Sequence, residues 1–162
     1  MYKIGEFVVY KRDVCKVIEI KEKYFNNVDY YILIPVFDKS LKISVPKDSD
    51  LIRDLINKEE LEKIITAMPN IKIIETDNKM IENDYKELLQ TGTHENLIKI
   101  IKTTYLRNQE RLENNKKIGD KDDNYFNLAE KHLYSEFSVV LNLTIEEAKE
   151  YVINKLEINK NK

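Results

Sequence analysis

The sequence predicts an α+β chain whose strands come first and whose helices come after. Four short β-type runs crowd the stretch up to Pro46: Glu6–Tyr10, Val14–Ile20, Asp29–Val36 and Leu41–Val45. Asn26-Asn27 and Asp38-Lys39-Ser40 supply turn chemistry between the last three runs. Beyond Pro46 the pattern is helical in period and in its capping residues.

Along the first run, Phe7 and Val9 alternate with Val8 and Tyr10, so both faces are apolar, as when a few strands wrap one core. The second run sets Val14, Lys16, Ile18 and Ile20 on one face. Pro46 closes the fourth, because proline cannot donate to a continuing ladder. Four antiparallel strands with tight turns predict a small SH3/Tudor-like β half-barrel over residues 1–56. A unit of this size buries little surface and is only marginally stable by itself. Its unpaired edge is a natural partner site.

An all-α helical domain is expected over 57–158, with a frayed tail at 159–162. Asp50 to Asn57 has the composition of a helical turn. Lys58 to Met68 reads as a helix with Leu61, Ile64, Ile65 and Met68 on one face, ended by Met68-Pro69-Asn70. Thr76-Asp-Asn78 offers a cap for a helix through Leu89, and Thr91-Gly92-Thr93 breaks it. Thr93 then starts the longest expected helix, to about Glu113. Asp120 or Asp122 opens the next, which carries Tyr125, Leu128, Ala129, His132, Leu133, Glu136 and Phe137. Thr144 and Glu147 form a capping box for the last helix.

Composition bounds the function. With 42% hydrophobic and 35% charged residues the chain reads as a globular protein. It lacks an apolar run of the ~20 residues a membrane span needs, and Met1-Tyr-Lys-Ile-Gly leads straight into the first strand. No signal peptide and no membrane are expected, so the expected location is cytoplasmic; the expected state is a monomer. A single cysteine, Cys15, and two distant histidines, His94 and His132, exclude a disulfide framework and a cysteine-type zinc site. Cys15 reads as a buried small hydrophobe, His132 as a packed side chain and His94 as exposed beside Glu95.

Asp120-Lys-Asp-Asp-Asn124 invites a calcium-loop reading, but Tyr125 stands where the turn glycine belongs and Lys131 where the bidentate glutamate belongs. Acidic residues at a helix N-terminus explain the cluster. Three glycines and no nucleophile elbow, phosphate loop or paired-histidine motif leave no catalytic constellation. The chain is expected to be no enzyme and to hold no cofactor or metal.

Charge is more informative by region than in total. The net charge is −2, yet residues 97–117 carry Lys99, Lys102, Arg107, Arg111, Lys116 and Lys117 against only Glu110 and Glu113, a local +4. At 100° per residue, Leu97, Ile98, Ile101, Tyr105 and Leu112 fall within an arc of about 100°, the expected core face. Lys99, Lys102, Arg107 and Arg111 lie outside it. The stripe reads as a solvated helix face or as a contact for nucleic-acid phosphates or an acidic protein.

Four stretches together resemble the CarD/CdnL family of bacterial RNA polymerase-binding transcription regulators, over roughly residues 1–155. They are Lys3-Ile-Gly-Glu-Phe-Val-Val-Tyr10, Leu41-Lys-Ile-Ser-Val-Pro46, the run from Thr93-His-Glu-Asn-Leu to Asn108-Gln-Glu-Arg111, and Gly119-Asp-Lys121 with Leu128-Ala-Glu130. The opening part is also similar to a module of transcription-repair coupling factors. The resemblance implies a Tudor-like domain docking on the RNA polymerase β subunit; the expected contact is strand-edge pairing around Lys21 to Phe25, through Lys21, Lys23 and Phe25, with help from Lys42 or Ser44. It also implies a helical domain that meets promoter DNA at the minor groove and phosphates, a contact expected to be weak where this chain departs from the family.

The family's wedge tryptophan is missing here, and its position falls at or near Ile81. Family arginines become Asn83 and Asp84, leaving Lys86 as the nearest cation, and Lys11-Arg-Asp-Val14 replaces the usual Pro-x-His-Gly turn. The resulting expectation is a regulator that docks on polymerase and modulates open-complex stability, with Ile81, Lys86, Lys99, Lys102, Arg107 and Arg111 facing DNA. The alternative is a polymerase-tethered protein–protein adaptor without DNA contact.

Overall fold

Five antiparallel strands precede five helices, an α+β architecture, in a computed structural model that describes residues 1–75 and 79–161. The expected Thr76-Asp-Asn78 cap lies outside the described residues. The strands are β1 Phe7–Tyr10, β2 Asp13–Phe25, β3 Val28–Pro35, β4 Ile43–Pro46 and β5 Ile52–Arg53, ordered β4-β3-β2-β1-β5 across the sheet. The chain divides into two compact units, Met1–Ile56 and Asn57–Lys162.

The β2–β3 turn arises from its two asparagines. Asn26 has φ 49° and Asn27 φ 62°, the left-handed pair whose twist matches that of the flanking strands. The β3–β4 connection holds two successive turns rather than one tight one, with Asp38 N donating to Pro35 O and Leu41 N to Asp38 O, both at 3.3 Å. Consequently β4 begins at Ile43, later than expected. Its last residue, Pro46, pairs with Tyr30 on an edge strand, where its missing N–H leaves no ladder bond unmade on the outer side.

Two further sequence expectations fail in this unit. Residues 52–53 form β5 instead of a helical turn, because Tyr10 and Val9 take Ile52 and Arg53 as ladder partners and Lys11 N bonds Leu51 O at 2.9 Å. The face drawn through Val14, Lys16, Ile18 and Ile20 is broken by a bulge. Val17 pairs with Leu33 but Glu19 with Ile32, so Ile18 is an extra residue and alternation inverts across it. The inversion lets Cys15, Val17 and Ile20 pack with Val8, Tyr31, Leu33 and Val45 in one core. Val9, Val14 and Ile32, on the other face, are buried as well.

The helical unit contains α1 Lys58–Ala67, a 3-10 turn Met68–Asn70, α2 Ile81–Thr91, α3 His94–Glu113, α4 Asp120–Leu141 and α5 Ile145–Lys160. Local chemistry accounts for several of the ends. Asn57 with Glu60, and Thr144 with Glu147, form capping boxes. The Thr93 side chain accepts from Asn96 N, and Gly92 ends α2 at φ 64°. At 22 residues α4 exceeds α3 at 20, against expectation, and α5 continues through Asn159 and Lys160 where a frayed tail was expected. Leu61, Ile65, Tyr85, Leu89, Leu97, Ile100, Leu133, Phe137 and Val152 form the buried side of this unit. Among the described residues no helix is long and apolar enough to cross a membrane.

Candidate functional site

Strand β2 outruns its neighbour. On one side β1 pairs only as far as Lys16, with Gly5 N and Glu6 O adding bonds to Val17. On the other side β3 continues to the Phe25–Val28 pair. From Ile18 onward, β2 therefore has a strand on its β3 side and none on its β1 side. The open stretch is shorter than the sequence predicts. Lys23 sits at φ 47°, in a second irregularity between Lys21 and Phe25, and its N–H turns back to Asp29 Oδ1 at 2.9 Å. The regular open edge is thus Glu19–Lys21, and the kink at Lys23 blunts the rest of the strand.

Side chains around that edge lie in rows across the sheet. Glu19, Ile32 and Ser44 are consecutive partners, as are Lys21, Tyr30 and Pro46, so Lys21 and Ser44 share the face opposite the core, two strands apart. Lys21 Nζ lies 4.6 Å from the Tyr24 ring centroid and 3.8 Å from Glu19 Oε2. Tyr24 meets Tyr30 edge-on, and Phe25 is 61% exposed. Lys42 and Ser44 are exposed. Cys15 is fully buried, and burial pushes its thiol up to about 12, which removes it from thiolate chemistry near neutral pH.

In the helical unit the expected DNA-facing set is largely turned inward. Ile81 opens α2 with its side chain buried, because the apolar stripe Ile81, Tyr85, Leu89 faces the core; a wedge needs an exposed tip, and the exposed apolar residue there is Met80. Lys102 Nζ donates to the carbonyls of Met68 at 3.0 Å, Pro69 at 3.4 Å and Ile71 at 2.5 Å, capping the end of α1 and its 3-10 turn. Arg107 Nε and Arg111 Nη1 donate to Asp122 Oδ2 at 2.8 and 2.6 Å, and Tyr85 OH donates to Oδ1 at 2.8 Å. Asn108 Oδ1 accepts from Arg111 Nη1 and from Gly119 N. Of the expected cations, Lys86 stays exposed beside Glu82 and Lys99 is half-buried.

Asp122 explains the reversal. Burial alone raises a carboxyl, but bonds from Arg107, Tyr85 and Arg111 outweigh it and hold Asp122 below the usual aspartate range. A buried carboxylate needs cations, and the i, i+4 pair Arg107–Arg111 supplies them from one stripe of α3. Past Thr103 the inward arc is therefore Thr104, Arg107, Asn108 and Arg111, about 80° from the arc that hydrophobicity picks out, whereas nearer the start of α3 Leu97 and Ile98 of that expected arc are buried. Tyr105 and Leu112, expected in the core, are 56% and 53% exposed.

Tyr85 and Asp122 escaped the sequence reading. The available signal was two arginines one helical turn apart with an acidic run at 120–123 nearby. That run is no cation loop: Asp122 faces the guanidiniums, and Asp123 accepts from Asn127. Among the described residues, no group of three or more His, Cys, Asp and Glu side chains could hold a metal ion. His94, expected to be exposed, bonds the buried Glu136 at 2.8 Å and is stacked near Phe137.

No family model matches the chain, and a search of curated proteins found no match.

Proposed function

We propose that this protein regulates bacterial transcription initiation by docking its β-unit on the β subunit of RNA polymerase. The observation that carries the reading is the open edge of β2 at Glu19–Lys21, where main-chain groups await a partner strand. Lys21 and Ser44 lie on one face beside it, and Phe25 projects near the hairpin end. Five antiparallel strands with buried residues on both faces support a Tudor-like module. The resemblance of Lys3–Tyr10 and Leu41–Pro46 to CarD/CdnL strands supplies the partner.

For the helical unit, the protein–protein adaptor reading is better supported than promoter contact. Ile81 is buried, Arg107 and Arg111 are drawn to Asp122, and the Lys102 ammonium sits on carbonyls. Promoter contact keeps Lys86 and Lys99 as its cations, too few for more than a weak, salt-sensitive interaction.

Binding of the full chain to purified polymerase tests the docking. Lys21→Glu combined with Ile20→Pro, which blocks the edge amide, should weaken the complex by about tenfold or more. Unchanged affinity in a folded variant means that another surface docks.

A further inference from the structure

The C-terminal half of α3 is inside-out. Between Thr103 and Glu113 the inward positions are polar: Thr104, Arg107, Asn108 and Arg111, gathered toward Asp122 and Gly119. The outward positions hold the large apolar side chains, with Tyr105 56%, Leu106 49% and Leu112 53% exposed. Tyr105 is extended by its contact with Phe126 of α4 and held by Gln109, whose Nε2 donates to its hydroxyl at 3.1 Å. A lone exposed leucine needs no explanation, but three large side chains within two turns of a helix whose polar half is buried do.

Charge on this face has the opposite sign to that of the sequence segment. The charged residues in the stretch are Arg107, Glu110, Arg111 and Glu113. Both arginines turn in to Asp122, while Glu110 and Glu113 are exposed. What the sequence presents as a basic stripe is, on the outward side of these turns, apolar with an acidic border. Exposed Lys116 and Lys117 come only past the helix end. Phosphates would be repelled by this face, whereas a helix with an apolar stripe and flanking cations matches it in both respects.

We propose that Tyr105, Leu106 and Leu112, with Glu110 and Glu113, form a docking face for a basic amphipathic segment of a partner protein. The proposal rests on the adaptor reading of the helical unit and is independent of polymerase docking. Apolar contact supplies the affinity, and the two glutamates select cationic over anionic partners.

The full chain is tested by fluorescence anisotropy with a labelled amphipathic helix of leucine and lysine, a matched peptide of leucine and glutamate and, in a separate titration, a labelled DNA duplex. The lysine peptide should bind and the glutamate peptide should not. Leu106→Ser with Leu112→Ser, and separately Glu110→Lys with Glu113→Lys, should each weaken binding by about tenfold. The charge variant alone should reverse its salt dependence, since salt then screens a repulsion. These side chains are half exposed, so unchanged thermal melts are expected and report that the variants remain folded. Equal binding of both peptides, unaltered affinity in either variant, or self-association through this face overturns the proposal. Absence of lysine-peptide binding overturns it while leaving the adaptor reading standing. Direct binding of the labelled duplex that is abolished by Leu106→Ser with Leu112→Ser overturns both.

Discussion

The guanidinium of Arg111 fills the space that a side chain at residue 119 would need: a Cβ built on Gly119 would lie 2.5 Å from Arg111 Nη1. The arginine cannot yield freely, since the same nitrogen is bonded to Asp122 and Asn108. Gly119 N donates to that Asn108 as well, so the glycine closes a ring of contacts between the end of α3 and the start of α4.

That ring makes the sign of one substitution depend on another. Gly119 has φ −79°, a conformation alanine adopts without strain, so Gly119→Ala by itself favours the folded state through the unfolded chain's lost entropy. With Arg111 present the clash should dominate, at a net cost of about 1 kcal/mol. In an Arg111→Ala background the same change should stabilise by about 0.4–1 kcal/mol. Chemical denaturation of the four members of the cycle measures both numbers. Additive effects would show that Arg111 moves aside without loss.

Asp122 gives the acid limb of the stability curve. Its folded pKa lies below the ordinary 3.8, so the unfolded chain takes up this proton first as pH falls. The stabilisation is present above about pH 4 and is lost as pH drops through the folded value. Tyr85 works at the other end. Burial, then its bond to Asp122, pushes its hydroxyl well above the usual range, so the unfolded tyrosine ionises first and stability falls as pH rises past about 10. Asp122→Asn should cost about 2–3 kcal/mol at neutral pH, softened because Arg107 and Arg111 remain 24% and 29% exposed, and should flatten the acid limb. Tyr85→Phe should flatten the alkaline one. Urea midpoints across pH 3 to 11 decide; parallel curves for parent and variants would refute the linkage.

Ile81 separates core from wedge. As a buried side chain, its replacement by alanine should cost about 2–4 kcal/mol, and Ile81→Trp should overpack the start of α2 and cost about 1–3 kcal/mol. A wedge would respond differently: tryptophan would leave the melting temperature alone and prolong the life of a polymerase–promoter open complex. Thermal melts of the two variants distinguish these outcomes.

Much of the fold was legible because it rests on chemistry close in sequence. Asn26-Asn27 makes a turn wherever it stands between two β-type runs, Thr93 caps the helix it precedes, and Thr144 with Glu147 closes a capping box within one turn. The misreadings that bear on the candidate sites involve distant partners. Residues 52–53 become a strand because β1 is there to pair with them, and the face of β2 inverts at Ile18 because β3 sets the register. Lys102 looks like a surface cation until the carbonyls of Met68 and Ile71 meet its ammonium.

By itself the sequence determined the β-then-α order, several helix ends and the sharing of helical stripes, since periods of two and 3.6 residues and caps are local properties. Which stripe of α3 turns inward was left to the tertiary structure. Hydrophobicity ranks faces on the assumption that charge stays in water, and here Asp122 inverts the ranking. Its buried carboxylate draws Arg107 and Arg111 inward, and the rigid 3.6-residue geometry then carries Tyr105, Leu106 and Leu112 out to solvent.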